Sequence, residues 1–381
     1  MTAEALFLYG TLRHPDVLAQ VSGCVLSSEP AELVDHAIAH AITPDGRTQD
    51  FPIFTPRPGS VARGLLIRPD AEARARLDAY ERAFGYDTTK ITVRTAAGPV
   101  EASIYLPRPG LWLAGKDWSL EAWMPARGPL AVEVAREVMA LLPRSDPGVL
   151  RERYRMLEIR AASRLRARDE PAPATLRRQP TQQDIIVEAA RVPYAWFFGV
   201  EEADLRFRRF DGSTSAVVTR AGFIMGDAVT VLPYDPRRDR VMLVEQFRFG
   251  PFARGDANAW SLEPIAGRVD PGETPDEAAR RETTEEAALS LQALHPIGRY
   301  YASPGAVSEY LMSYVAIADL PDAAQGVNGL ETEAEDIRSH VISYARLMDL
   351  VASGEVENAP LLISAQWLAL NRDRLRATTQ A

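Results

Sequence analysis

Glu282 and Glu286 stand four residues apart, so on a helix their carboxylates face the same way on successive turns, with no basic residue between them on that stripe. Two carboxylates held like this repel unless a cation sits between them. All-oxygen ligation selects a hard divalent ion, magnesium or manganese. A third carboxylate points to different chemistry. Glu81 lies four residues after Leu77 and falls on the apolar face that Leu77 forms with Tyr80 and Phe84. A carboxyl placed there should be partly desolvated, with a raised pKa, and is suited to proton transfer.

The elements that must hold these groups are signalled locally. Thr274, Pro275 and Glu277 spell a helix start with a capping box. Glu277, Arg281 and Glu285 continue it as an acid–base–acid ladder, and Gly267 and Gly272 bracket a tight loop before it. In the first half, Ala5 to Tyr9 reads as a buried strand that stops at Gly10-Thr11. A glycine there lets backbone N–H groups point at a carboxylate or an oxyanion. Strands are expected at 61–67, 90–94 and 100–105, and a helix starts at Pro69-Asp70. A further helix is expected over 129–142, with Pro129 in its first turn. In the second half, strands are expected at 184–192, 204–209, 227–234 and 240–248. His36 and His40 are four apart but on a strand, which argues against a shared metal.

With 381 residues, two domains are expected. Residues 151–178 hold nine arginines around an acidic, Pro/Ala-rich stretch that reads as a linker. The division is residues 1–168, a linker at 169–183, and residues 184–381. Apolar residues make up 46% and charged residues 25% of the chain, an ordinary globular profile. The net charge of −9 argues against nucleic-acid or membrane binding as the main task. The lone Cys24 excludes a disulfide framework or a cysteine metal cluster. With no long apolar run and no leader-like start, a cytoplasmic location is expected.

The segment from Gly267 through Glu273, Arg281, Glu282, Glu285 and Glu286 to Leu289 resembles the Nudix box, with each of these residues in register. Thr283 replaces an aliphatic residue, and Ala288 replaces the second glycine. The latter costs up to ~1 kcal/mol if a positive φ is needed there. Over roughly 184–375 the chain resembles ADP-ribose pyrophosphatases, with Pro304 fifteen residues past Leu289 and the matching stretches 245–248, 262–267, 331–337 and 357–359. That resemblance implies hydrolysis of ADP-ribose to AMP and ribose 5-phosphate. It implies metal ligands at Ala266 (carbonyl), Glu282, Glu286 and Glu335, with Glu333 as the base for water. It implies Arg248 on a phosphate, Glu309 orienting the terminal ribose or phosphate, and Arg220 on the adenine side. Phe198, with Trp196 and Phe197, matches an aromatic arm that stacks adenine in a homodimer. One arginine, Arg220, stands where the subfamily often carries two.

Leu8-Tyr9-Gly10-Thr11-Leu12-Arg13, with Leu77 to Glu81 and Tyr86, resembles the gamma-glutamylcyclotransferase-like fold over about residues 4–125. This implies a ligand loop at Tyr9, Gly10, Thr11 and Leu12 and a base at Glu81 releasing 5-oxoproline, or a binding module alone. The expected architecture is α+β in two domains, a cyclotransferase-like β-barrel and a Nudix α/β/α sandwich with a mixed sheet. This order resembles the tellurite-resistance-associated ADP-ribose pyrophosphatases. The alternatives are another nucleotide-sugar pyrophosphatase, or a protein that senses a nucleotide without cleaving it.

Overall fold

The structure, a computed structural model, describes residues 4–144, 146–171, 173–329 and 336–378. The chain forms two compact units, Met1–Thr219 and Arg220–Ala381.

The first unit opens with strand β1 (Leu6–Leu8) and helix α1 (Pro15–Ser22), followed by the long strands β2 (Ser28–Ile42) and β3 (Thr48–Ile67). Helix α2 (Ala71–Ala83) leads to β4 (Tyr86–Thr95), β5 (Gly98–Pro107) and β6 (Leu113–Asp117). The strands close on themselves in the order β3-β1-β5-β4-β2, with β2 pairing back to β3 and β6 added beside β2. The result is a five-stranded barrel. β1 is its parallel member, paired with β5. Phe7, Leu66 and Ile104 fill one side of the strand layer, and Leu6, Leu8 and Ile67 pack with α1, α2 and α3 on the other. Asp70 caps α2 by accepting from the Ala73 N–H at 2.8 Å, as an acid before a helix should.

Helix α3 runs Leu120–Leu141, nine residues earlier than Pro129 suggests. Ser119 supplies the cap, and Pro125 and Pro129 both lie inside. Neither proline carries an N–H, so the helix bonds to the carbonyls of residues 121 and 125 are lost. Burial of Leu120, Trp123 and Leu130 holds the helix together regardless. Helices α4 (Pro147–Glu152) and α5 (Tyr154–Asp169) follow, then a hairpin of β7 (Ile185–Ala195) and β8 (Gly199–Phe207). Val192 and Ala195 of β7 pack with Val134, Val138 and Leu157. This packing places the compact-unit boundary at 219/220, beyond the arginine-rich stretch. Strand β9 (Val218–Ile224) spans that boundary.

The second unit contains β10 (Ala228–Asp235), β11 (Arg240–Phe247), α6 (Phe249–Arg254), β12 (Trp260–Glu263), β13 (Ile265–Arg268) and α7 (Pro275–Ala287). It continues through β14 (Ala293–Tyr301), β15 (Tyr310–Ile317), β16 (Val327–Asn328), β17 (Ile337–Ser343), α8 (Tyr344–Ser353) and α9 (Ala359–Thr378). The mixed sheet runs β14-β15-β10-β11-β17-β16, with β13 on β10 and β12 on β11. Val229, Met242 and Met312 face α7, while Leu232, Leu243 and Val315 face α8 and α9. Helices thus cover both faces of a mixed sheet, the α/β/α sandwich expected. No helix among the described residues is long and apolar enough to cross a membrane.

Candidate functional site

The acidic helix is built as its sequence requires. Thr274 accepts from the Glu277 N–H, and the Glu277 carboxylate reaches back to the Thr274 N–H at 2.8 Å. That commitment takes Glu277 out of the expected ladder. Arg281 bonds Glu273 through Nε and Nη2, each at 2.9 Å, Glu282 at 2.7 Å and Glu285 at 3.0 Å. Its Nη2 also donates to the Arg268 carbonyl at 2.9 Å, tying α7 to the end of β13. Hydrogen bonds to Glu273 and the charge of Glu282 push the Arg281 pKa further up, so it stays cationic.

Glu282 and Glu286 face β13 from adjacent turns. The Glu282 carboxyl occupies the space that a Cβ on Gly267 would fill, so the glycine permits the approach. Glu286 is 3% exposed and accepts from the Ala266 N–H at 3.3 Å. Two carboxylates and the backbone of Ala266 therefore converge on one end of β13. The oxygens of these two carboxylates suit a hard divalent ion. Glu333 and Glu335 lie outside the described residues. Among the described residues, no three acidic, His or Cys side chains form a ready metal cluster.

The two departures from the box have local accounts. Ala288 adopts φ 52°, ψ 31°, the left-handed conformation that the missing glycine would take without cost. Thr283 is fully buried, and its hydroxyl is satisfied by the Ala279 carbonyl at 2.7 Å.

Arg248 is not a bare phosphate clamp. Its Nε and Nη2 fork onto Glu263 at 3.0 and 2.7 Å, and Glu263 is 5% exposed. Burial pushes the Glu309 carboxyl up, while Arg268 and then Arg248 pull it back. Glu263 and Arg268 were missed from sequence. An acid inside an apolar strand was the available signal for Glu263, whereas Arg268 fills a variable position of the box. Phe198 sits in the turn between β7 and β8, its ring centroid 5.5 Å from that of Tyr194. The Arg153 guanidinium lies 3.9 Å over Trp196 beside it. This aromatic turn falls in the first compact unit, whereas Arg220 opens the second.

A second site lies within the first unit, a cavity of about 510 Å³. Tyr9, Gly10, Thr11 and Leu12 line it together with Glu81, as the two sequence motifs require. Burial raises the Glu81 pKa to about 8, and no side-chain hydrogen bond or ion pair to it is seen among the described residues. Burial, then Tyr86 and Glu81, keep the Tyr9 hydroxyl protonated. Arg127, Tyr154 and Glu158, from α3 and α5, complete the wall, and Arg127 binds Glu158 at 2.8 Å and Asp50 at 2.9 Å. No motif in the sequence pointed to these. His36 and His40 bond separate backbone carbonyls, of Val34 and Gln49.

An acidic helix folded onto a glycine at the end of a mixed sheet is the arrangement of a Nudix hydrolase. Residues 225–362 match the NUDIX domain model, and residues 6–120 match the model described as gamma-glutamyl cyclotransferase, AIG2-like. The chain is 37% identical to an ADP-ribose pyrophosphatase of Escherichia coli (strain K12) over 195 residues, 51% of this chain and 92% of that protein. It is 35% identical to one from Haemophilus influenzae over 198 residues, 51% and 91% of the two chains. A GDP-mannose pyrophosphatase of Enterobacter sp. is 29% identical over 146 residues, 38% and 75% of the two. The solved structure described as an ADP compounds hydrolase covers 50% of this chain and 97% of its own, at 24% identity and a TM-score of 0.39. The chain belongs to the Nudix family through its second half, in the company of ADP-ribose pyrophosphatases.

Proposed function

We propose that the second half cleaves the pyrophosphate of ADP-ribose to AMP and ribose 5-phosphate. The observation that carries this is the nesting of Glu282 on Gly267 beside Glu286 at the Ala266 N–H, which gathers two carboxylates at one strand end. Glu282, Glu286, the Ala266 carbonyl and Glu335 would hold magnesium or manganese. When bound, such an ion neutralises the diphosphate and favours ionisation of water. Glu333 takes the proton from the attacking water. Arg248, oriented by Glu263, faces the phosphates, and Glu309 orients the terminal ribose. Arg220 and the Phe198 turn serve the adenine, the latter across a homodimer formed through the Nudix domain, residues 184–381 after a linker at 169–183. The reading places the reaction in the cytoplasm. The two ADP-ribose pyrophosphatase relatives support this substrate over the nucleotide sugars of the GDP-mannose relative, which align over less of the chain.

The deciding experiment is a screen of nucleoside diphosphate derivatives with magnesium, with products identified by chromatography. ADP-ribose should give the highest kcat/KM, and sedimentation should show a dimer. A nucleotide sugar cleaved at least tenfold better would establish the competing activity instead.

The cavity of the first unit favours a second activity. Glu81 takes a proton from the α-amine of a gamma-glutamyl compound. The amine then attacks the side-chain amide, and the departing amine receives the proton, leaving 5-oxoproline. The backbone of Gly10 to Leu12 receives the carbonyl oxygen. This step needs neither a metal nor a covalent nucleophile.

A further inference from the structure

We propose that Arg268 binds the phosphate that leaves with the terminal ribose. The inference rests on the ADP-ribose reading above.

The sheet register places this side chain. Ala228 of β10 pairs with Arg268 on one side and with Leu311 on the other. Residues paired across neighbouring strands point to the same face, so Arg268, Ala228 and Leu311 form one row. The next row, Gly267, Val229 and Met312, points oppositely, and Val229 and Met312 pack under α7. The Arg268 side chain therefore leaves β13 on the face away from Glu282. Glu309 lies two residues before Leu311, just ahead of β15, and the charge of Arg268, followed by that of Arg248, acts on its carboxyl. The strand position is fixed as well, since the Arg268 carbonyl receives Nη2 of Arg281, which also holds Glu273 and Glu282.

β13 thus separates two kinds of charge, with metal-binding carboxylates against one side and a guanidinium on the other. A diphosphate crossing this strand end meets both. One phosphate belongs with the carboxylates and their ion. The phosphate on the Glu309 side meets a half-buried acid and needs a cation to be accepted there. Arg248, which faces the phosphates in the reading above, is held on Glu263 through Nε and Nη2. Arg268, planar and in one row with Leu311 two residues past the orienting acid, is the group matched to a phosphate carrying a sugar.

The test compares full-length wild type with R268M and R268K. It measures kcat and KM for ADP-ribose, inhibition by ribose 5-phosphate and by AMP, and direct calorimetric binding of ribose 5-phosphate. R268M should raise both KM and the inhibition constant of ribose 5-phosphate roughly 10- to 100-fold, the range for a charge-assisted hydrogen bond. AMP inhibition should stay within twofold, and R268K should recover part of the loss. If R268M misfolds by circular dichroism, R268K carries the comparison, with a rise confined to ribose 5-phosphate expected. Unchanged ribose 5-phosphate binding in the folded variant, or an equal loss for AMP, overturns the assignment, as does a wild type that does not bind ribose 5-phosphate. A wild type that binds ribose 5-phosphate through Arg268 yet leaves ADP-ribose uncleaved keeps the site and sinks the substrate.

Discussion

The carboxyl of Glu282 occupies the space where Gly267 would carry a side chain, so the glycine is what lets this carboxylate lie against strand β13. Gly267→Ala should displace the carboxylate rather than the helix, because the obstructed atoms are the far end of a flexible side chain. Arg281, which bonds Glu282 at 2.7 Å, would lose one of its acids and keep Glu273 and Glu285. We expect kcat/KM for ADP-ribose to fall at least 100-fold, with the midpoint of thermal unfolding within a few degrees of wild type. Wild-type turnover in this variant would show that the glycine is a packing convenience only.

Glu286 tests the charge itself. Glu286→Gln retains volume and an acceptor toward the Ala266 N–H but halves the anionic charge on that stripe. Turnover should drop by orders of magnitude, with circular dichroism unchanged. Excess chelator should abolish wild-type activity, and added magnesium or manganese should restore it. Activity that persists in chelator would remove the metal from the reading.

Ala288→Gly should stabilise the protein without touching catalysis. The residue sits at φ 52° as the left-handed cap of α7, where alanine is strained and glycine is not. Its N–H bonds the Thr284 carbonyl at 3.0 Å, so the turn geometry is fixed by the chain and not by the side chain. A gain of about 1 kcal/mol by denaturant titration is expected. A loss would mean that the methyl group packs usefully.

Much of this was legible because short-range chemistry wrote it. The box fixed the cap at Thr274, the register of Glu282 and Glu286, and the strain at Ala288, all within about twenty residues. Glu81 was legible because helical spacing placed it beside Leu77 and Tyr80. What remained hidden came from distant pairings. Glu263 meets Arg248 through the β11–β12 register, and Arg268 meets the Glu309 region through two strand pairings on β10. Arg127 and Glu158 join the cavity wall from helices that carry no motif. The start of α3 was misplaced because Pro129 is a strong helix-start signal, overridden here by burial of Leu120 and Trp123. Glu277 was given two roles, and the cap took it.

Glu81 offers a prediction in which one group governs both stability and chemistry. Burial raises its pKa to about 8, while in the unfolded chain a glutamate titrates near ~4.3. The folded state therefore holds a proton that the unfolded state releases. The stability this contributes is fully present below ~4.3, diminishes as pH rises, and is lost above about 8. Glu81→Gln cannot titrate, so the unfolding midpoint of the first unit should vary less between pH 5 and 9 than in wild type, with the variant gaining relative stability toward pH 9. Catalysis runs the other way, since a base must be ionised to act. If the unit is a cyclotransferase, 5-oxoproline release by the full-length protein should climb with pH toward a plateau above about 8, without added metal. In Glu81→Gln that release should fall by ~10²–10⁴-fold while the gamma-glutamyl compound still binds. Release in wild type with a flat pH profile would remove Glu81 from the proton transfer. Binding without release at any pH would make the cavity a receptor for such compounds and leave bond breaking to the Nudix half.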